Sequence, residues 1–233
     1  MAFLHSGPAR QPAFNVPAVV LVLIAVLAAT HALRLSLPSA QSADLVGTYA
    51  FIPARLLFAS SIWDKAVPFV SYMALHGDWT HVGINCLWLL AFGPIVARRF
   101  GAPLFLLFFL VCGVAGAALF LVFDWGGSDP VIGASAAISG LMGAGIRLLP
   151  GRFPWAQPGE APMAPLLSRQ VLSFSAVWVV LNLVVGTLGL GLVPAGQAIA
   201  WQAHLGGYFA GLLLASVFDR LRPRALAPSL DKR

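Results

Sequence analysis

Charged side chains are scarce in this sequence: 9% of its 233 residues are charged, against 59% hydrophobic. A soluble domain carries about 25% charged residues. So few charges cannot cover a water-exposed globule of this length, and a bilayer becomes the natural solvent. A mean hydropathy of +0.87 points the same way. Cysteine is nearly absent too. Cys86 and Cys112 both sit inside apolar runs, and there is no CxxC spacing. That excludes a disulfide framework and a zinc site, so no metal is expected and the two thiols read as small packing groups. Acidic residues number only 8 against 14 Lys and Arg, leaving a net charge of +6. The basic residues gather at the ends of apolar runs, without interleaved aromatics. They therefore report membrane orientation, and nucleic acid is not an expected partner. There is no internal repeat and no room for a second large domain.

A spanning helix needs about 20 mostly apolar residues. Six segments qualify as candidates: 16–37, 80–96, 103–123, 135–149, 172–190 and 200–218. The chain is thus expected to be an all-α membrane protein, a compact six-transmembrane-helix bundle over 16–220. An N-terminal segment 1–15 precedes the bundle and a polar tail 221–233 follows it. The first run is long enough to span and no small-residue cleavage site closes it, so it is read as a retained helix. Arg34, near its outer end, is expected to snorkel to the interface. The fourth segment is short and rich in Gly and Ala, which suits a helix buried among the others.

Arg98 and Arg99 follow the second segment; Arg147, Arg152 and Arg169 lie at or between the fourth and fifth; five basic residues follow the sixth. The links from third to fourth and from fifth to sixth carry none. By the bias of basic residues toward the cytoplasm, both termini are cytoplasmic. The connection 38–79 is then external and 150–170 a cytoplasmic linker. A 40-residue connection is expected to be functional or to hold structure of its own. Its apolar patches, around Phe51 and again from Ile62 to Val70, suggest that it lies in the membrane interface.

Ionisable and polar groups inside a bilayer are costly and mark function. His81 and Asn85 open the second segment, Ser135 the fourth and His204 the sixth, all three entering from the external side. Three separated helices thus deliver polar side chains to one face at similar depth. A serine hydroxyl attacks only when a base takes its proton, and histidine can do so near neutral pH. His81 and Asn85 share a helix face at i, i+4. Together with the Ser135 backbone N–H they offer donors for an oxyanion. No carboxylate lies near His204 in its segment, so a Ser–His dyad is expected, with packing and desolvation orienting the imidazole. Ser139, one turn from Ser135, is a competing nucleophile. His81 and Asn85 also read as structural hydrogen-bonders, and His76 as either loop structure or site support. His5 and His31 have no expected role. Two other functions stay open: a proteolytically inactive client-binding protein, and a small transporter with an intramembrane polar path.

Three motifs carry a family resemblance. Gly133-Ala134-Ser135-Ala136 resembles the GxSx motif that opens the fourth core helix of rhomboid proteases. His76 followed by His81-Val-Gly-Ile-Asn85 resembles their histidine cluster and HxxxN motif, and Ala203-His204-Leu-Gly-Gly207-Tyr-Phe-Ala-Gly211 their AHxxGxxxG motif. The match covers roughly residues 65–220, in order. The resemblance implies intramembrane serine endopeptidase activity on single-pass transmembrane proteins, with Ser135 as nucleophile and His204 as base. His81 and Asn85 would assist the oxyanion, with His76 as support. Gly133, Gly207 and Gly211 would serve close helix packing. No cofactor is implied; substrate proteins and lipids are the partners, and oligomeric state is left open. Where many members have Gly after the serine and an aromatic four residues on, this chain has Ala136 and Ser139. The Trp-Arg pair common in the first loop is missing, since Trp63 is followed by Asp64. The compact form suggests a bacterial inner membrane, with the site opening to the non-cytoplasmic side.

Overall fold

The computed structural model describes residues 15–149, 162–188 and 199–222. It contains ten α-helices among the described residues: α1 (Ala18–Leu35), α2 (Ser39–Tyr49), α3 (Pro53–Phe58), α4 (Ile62–Ala66), α5 (Pro68–Ser71), α6 (Trp79–Phe100), α7 (Ala102–Phe123), α8 (Ser135–Leu148), α9 (Arg169–Leu188) and α10 (Trp201–Leu221). The six longer helices of the bundle fall on the six apolar segments, with ends shifted by up to four residues. Residues 150–161 of the expected linker, and the N-terminal and C-terminal segments but for Asn15, Leu221 and Arg222, lie outside the described residues.

Among the described residues, four helices are long and apolar enough to cross a membrane: α1, α6, α7 and α9. The other two are built differently because of where they sit. α8 has 14 residues, about 21 Å at 1.5 Å per residue, less than a hydrocarbon core of about 30 Å. Every residue from Ala136 to Leu148 is buried, so α8 meets protein on all sides. It packs chiefly on α10, then on α7 and α6. α10 gives up apolarity to carry His204, Asp219 and Arg220.

Small residues make the α7–α8–α10 core possible. A methyl group built on Gly207 would collide with the Ala136 carbonyl, and one on Gly211 with the Gly140 carbonyl. One on Gly116 of α7 would lie 2.6 Å from the Ala136 methyl and 2.7 Å from the Ala203 carbonyl oxygen. Backbones thus touch backbones, where dispersion replaces the hydrophobic drive that lipid cannot provide. At the opposite end of α10 from His204, Arg99 forks onto Asp219 at 2.5 and 3.0 Å. Buried Arg147 donates to the Leu212 and Ala164 carbonyls at 2.8 and 3.1 Å.

The long first connection has structure of its own: α2 to α5 and a 3₁₀ turn at Tyr72–Ala74. Phe51 and Val131 exchange backbone hydrogen bonds at 3.0 and 2.9 Å, and Ala54 donates to the Gly127 carbonyl at 2.8 Å. The connection is therefore laced to the loop that leads into α8. Phe58, Ile62 and Trp63 stand exposed on it. Arg34 does not extend outward as the sequence suggests. Its guanidinium turns back to donate to the His76 and Gly77 carbonyls at 2.8 and 3.1 Å and to Ser42 Oγ at 3.1 Å. The His76 and Gly77 carbonyls lie ahead of α6 and sit within its reach.

Candidate active site

Asp78 begins α6 as its N-cap, accepting from the His81 backbone N–H at 2.8 Å. That cap satisfies one of the orphan donors of the first turn and sets where His81 emerges. One turn deeper, buried Asn85 donates through Nδ2 to the His81 carbonyl at 2.9 Å. This leaves one amide hydrogen of Asn85 uncommitted by that bond. The His81 ring takes the Gly77 backbone N–H on Nδ1 at 3.4 Å and meets the His76 ring edge-on, centroids 5.0 Å apart. His76 is fully buried. Burial, reinforced by the neighbouring His81, holds its imidazole at about 4, well below the ordinary histidine range.

The turn ahead of α8 is anchored by the Gly133 N–H, which donates to the Tyr72 carbonyl at 2.9 Å. Tyr72 is in turn fastened by its hydroxyl to the Gly113 carbonyl at 2.8 Å. Gly133 has φ +116, a conformation that residues with a Cβ rarely adopt. A Cβ there would lie 2.7 Å from His81 Nε2 and 3.8 Å from Ser135 Oγ. Gly133 therefore serves the site and not a helix crossing, in contrast to Gly207 and Gly211, which pack α10 on α8. The missing side chain is what lets the His81 ring approach the turn that presents Ser135.

Ser135 is the first residue of α8 and His204 stands in the first turn of α10. The close α8–α10 crossing puts His204 Nε2 at 2.8 Å from Ser135 Oγ. Both residues are only partly buried. Ser139 is placed differently. It is buried, and its hydroxyl donates to the Ser135 carbonyl at 2.8 Å.

One contact is not among those expected from the sequence. The other imidazole nitrogen, His204 Nδ1, lies 2.9 Å from Oδ1 of Asn182 on α9. The expectation that packing and desolvation alone orient His204 is thus replaced by a side-chain hydrogen bond. The signal was present: Asn182 is a buried amide in the middle of an otherwise apolar helix, the kind of intramembrane polar residue that marks a site. Looking only for an acidic partner passes over it. Among the described residues no group of three His, Cys, Asp or Glu side chains is arranged to hold a metal ion.

The rhomboid-domain profile matches residues 62–220. Among curated proteins, RHOMBOID-like protein 5 of Arabidopsis thaliana is 23% identical over 173 residues, 70% of this chain and 50% of its own length. RHOMBOID-like protein 1 of the same plant is 28% identical over 64% of this chain and 33% of its own. RHOMBOID-like protein 4 is 31% identical over 66% and 34%. The chain therefore spans half or less of the curated relatives it matches. With two thirds of its length inside the domain profile and four helices fit to cross a bilayer, this chain is an integral membrane protein of the rhomboid family.

Proposed function

We propose that the protein is an intramembrane serine endopeptidase that cleaves single-pass transmembrane substrates. Family membership supports intramembrane proteolysis in general terms. The observation that carries the specific reading is the 2.8 Å approach of His204 Nε2 to Ser135 Oγ at the ends of two tightly crossed helices. That distance is the hydrogen-bond reach a nucleophile needs from its base.

In this reading Ser135 Oγ attacks the scissile carbonyl as its proton passes to His204 Nε2. The tetrahedral oxyanion accepts from the Ser135 backbone N–H, His81 and the uncommitted amide hydrogen of Asn85. The C–N bond breaks as His204 returns the proton to the leaving amine, leaving an acyl ester on Ser135. Water attacks the ester, gives its proton to His204, and the acid product leaves with Ser135 restored. His76 supports the His81 ring from behind. No cofactor enters any step.

The domain of 16–220 is proposed to cross the membrane six times, α8 within its neighbours, with both termini cytoplasmic and the site opening to the other side. Arg98 and Arg99 in the last turn of α6, against links from α7 to α8 and from α9 to α10 that carry no Lys or Arg, support that orientation.

Labelling with a fluorophosphonate probe, in detergent and in lipid, tests the reading. Wild type and Ser139→Ala should label, and Ser135→Ala and His204→Ala should not. A folded wild type that stays unlabelled in both media would instead favour a client-binding protein without protease activity.

A further inference from the structure

Asn182 reaches two groups at once, and together they determine which way its amide faces. Nδ2 lies 2.9 Å from the Trp201 carbonyl oxygen, while Oδ1 lies 2.9 Å from His204 Nδ1. A main-chain carbonyl only accepts, so the amide nitrogen must face Trp201 and the amide oxygen must face the imidazole. An amide oxygen only accepts in turn, so His204 Nδ1 must carry a hydrogen. A neutral imidazole with Nδ1–H has its lone pair on Nε2, the nitrogen 2.8 Å from Ser135 Oγ. Asn182 is 7% exposed, so both bonds lie largely out of solvent. α9 is also joined to α10 by Ser175 Oγ and Tyr208 OH, 2.7 Å apart, and it runs so close to Trp201 that a Cβ added at Gly186 would lie 2.5 Å from that side chain.

We propose that Asn182 is the positioning residue of the reaction, completing a Ser135–His204–Asn182 relay by holding His204 in the Nδ1–H tautomer with Nε2 free to take the serine proton. This rests on the protease reading above and adds to it. The relay is neutral. Asn182 orients the base without adding the charge a carboxylate would bring, so its removal costs less than the ~10⁴-fold seen when a serine-protease triad loses the correct tautomer. Because Asn182 belongs to α9 and His204 to α10, the seating of these two helices becomes part of the catalytic geometry.

The test uses the full chain with a model transmembrane substrate and histidine-selective ¹⁵N labelling. There are five histidines, and His204→Gln identifies the signals of His204. In wild type, His204 should show a protonated Nδ1 and an unprotonated Nε2. Asn182→Leu should lower kcat by about 10- to 100-fold with KM held within about twofold, and the tautomer signature should shift toward Nε2–H. Asn182→Asp, which keeps an acceptor at Oδ1, should hold kcat well above the Leu variant. Wild-type kcat in Asn182→Leu, or a loss of kcat with the His204 signature unchanged, overturns the proposal. So does a wild-type His204 protonated on Nε2, a result that needs no Asn182 variant. Failure of the protease reading would look different: Ser135→Ala would then leave cleavage unchanged whatever the tautomer.

Discussion

Ser139 Oγ donates to the Ser135 carbonyl at 2.8 Å, one turn back along α8. The two serines of α8 thereby part company. One hydroxyl faces the imidazole of His204, and the other is spent on the backbone of its own helix. Serine back-bonding of this kind competes only weakly with helix geometry. Ser139→Ala should therefore keep cleavage of a model transmembrane substrate within a few-fold of wild type, at a stability cost of about 1 kcal/mol or less. Loss of all activity in that variant, with labelling of Ser135 abolished, would contradict the assignment.

Gly133 should accept a side chain only at a functional cost. Its φ of +116 and the mere 2.7 Å that would separate an added methyl from His81 Nε2 act together. Gly133→Ala should displace the His81 ring and lower kcat by at least about tenfold, as loss of an oxyanion donor does. The melting temperature should change less than it does for a packing variant. Kinetics and thermal unfolding on the same preparation check this.

Gly207 should behave in the opposite way. A side chain there meets the Ala136 carbonyl, and the only relief is separation of α10 from α8. Gly207→Val should destabilise the protein by about 1–3 kcal/mol and should also lengthen the His204–Ser135 distance. Reduced thermal stability together with lost probe labelling is the expected pair of results; wild-type stability would show that the crossing is looser than described.

His76 offers a pH-dependent prediction. Its imidazole titrates at about 4 when folded, chiefly through burial, with His81, His31 and Arg34 adding to the effect and the Ala74 backbone opposing it. Unfolded, it titrates at about 6.5. Between those values the unfolded chain binds a proton that the folded chain does not, so stability rises with pH across this window. It is complete above about 6.5 and falls as the pH drops toward about 4. Thermal midpoints in detergent between about pH 4 and 7 should show this slope in wild type and a shallower one in His76→Phe.

Much of this protein is legible in the residues alone because a bilayer constrains a chain severely. Every buried backbone group must be satisfied within a helix, so apolar runs near Leu27, Leu89 and Phe109 translate directly into helices. A polar side chain within such a run is expensive enough to be noticed, and Ser135, His81, Asn85 and His204 stand out on that ground. Asn182 escapes notice when carboxylates are sought. An amide has no charge to mark it, and its value lies wholly in what faces its two ends.

The sequence by itself determined where the six longer helices run, that their surroundings are lipid, and which polar residues open three of them. Hydropathy and local spacing suffice for these, since each depends on neighbours along the chain. Tertiary structure decided the rest: the turning of Arg34 back to the His76–Gly77 carbonyls, the service of Gly133 to the His81 ring, the diversion of Ser139 to the backbone, and the meeting of Asn182 with His204. Each of these depends on groups approaching to about 3 Å once the helices are packed. Hydrogen bonds at that range are directional and short, so a pattern of residue types along one chain holds no record of them until the helices have packed.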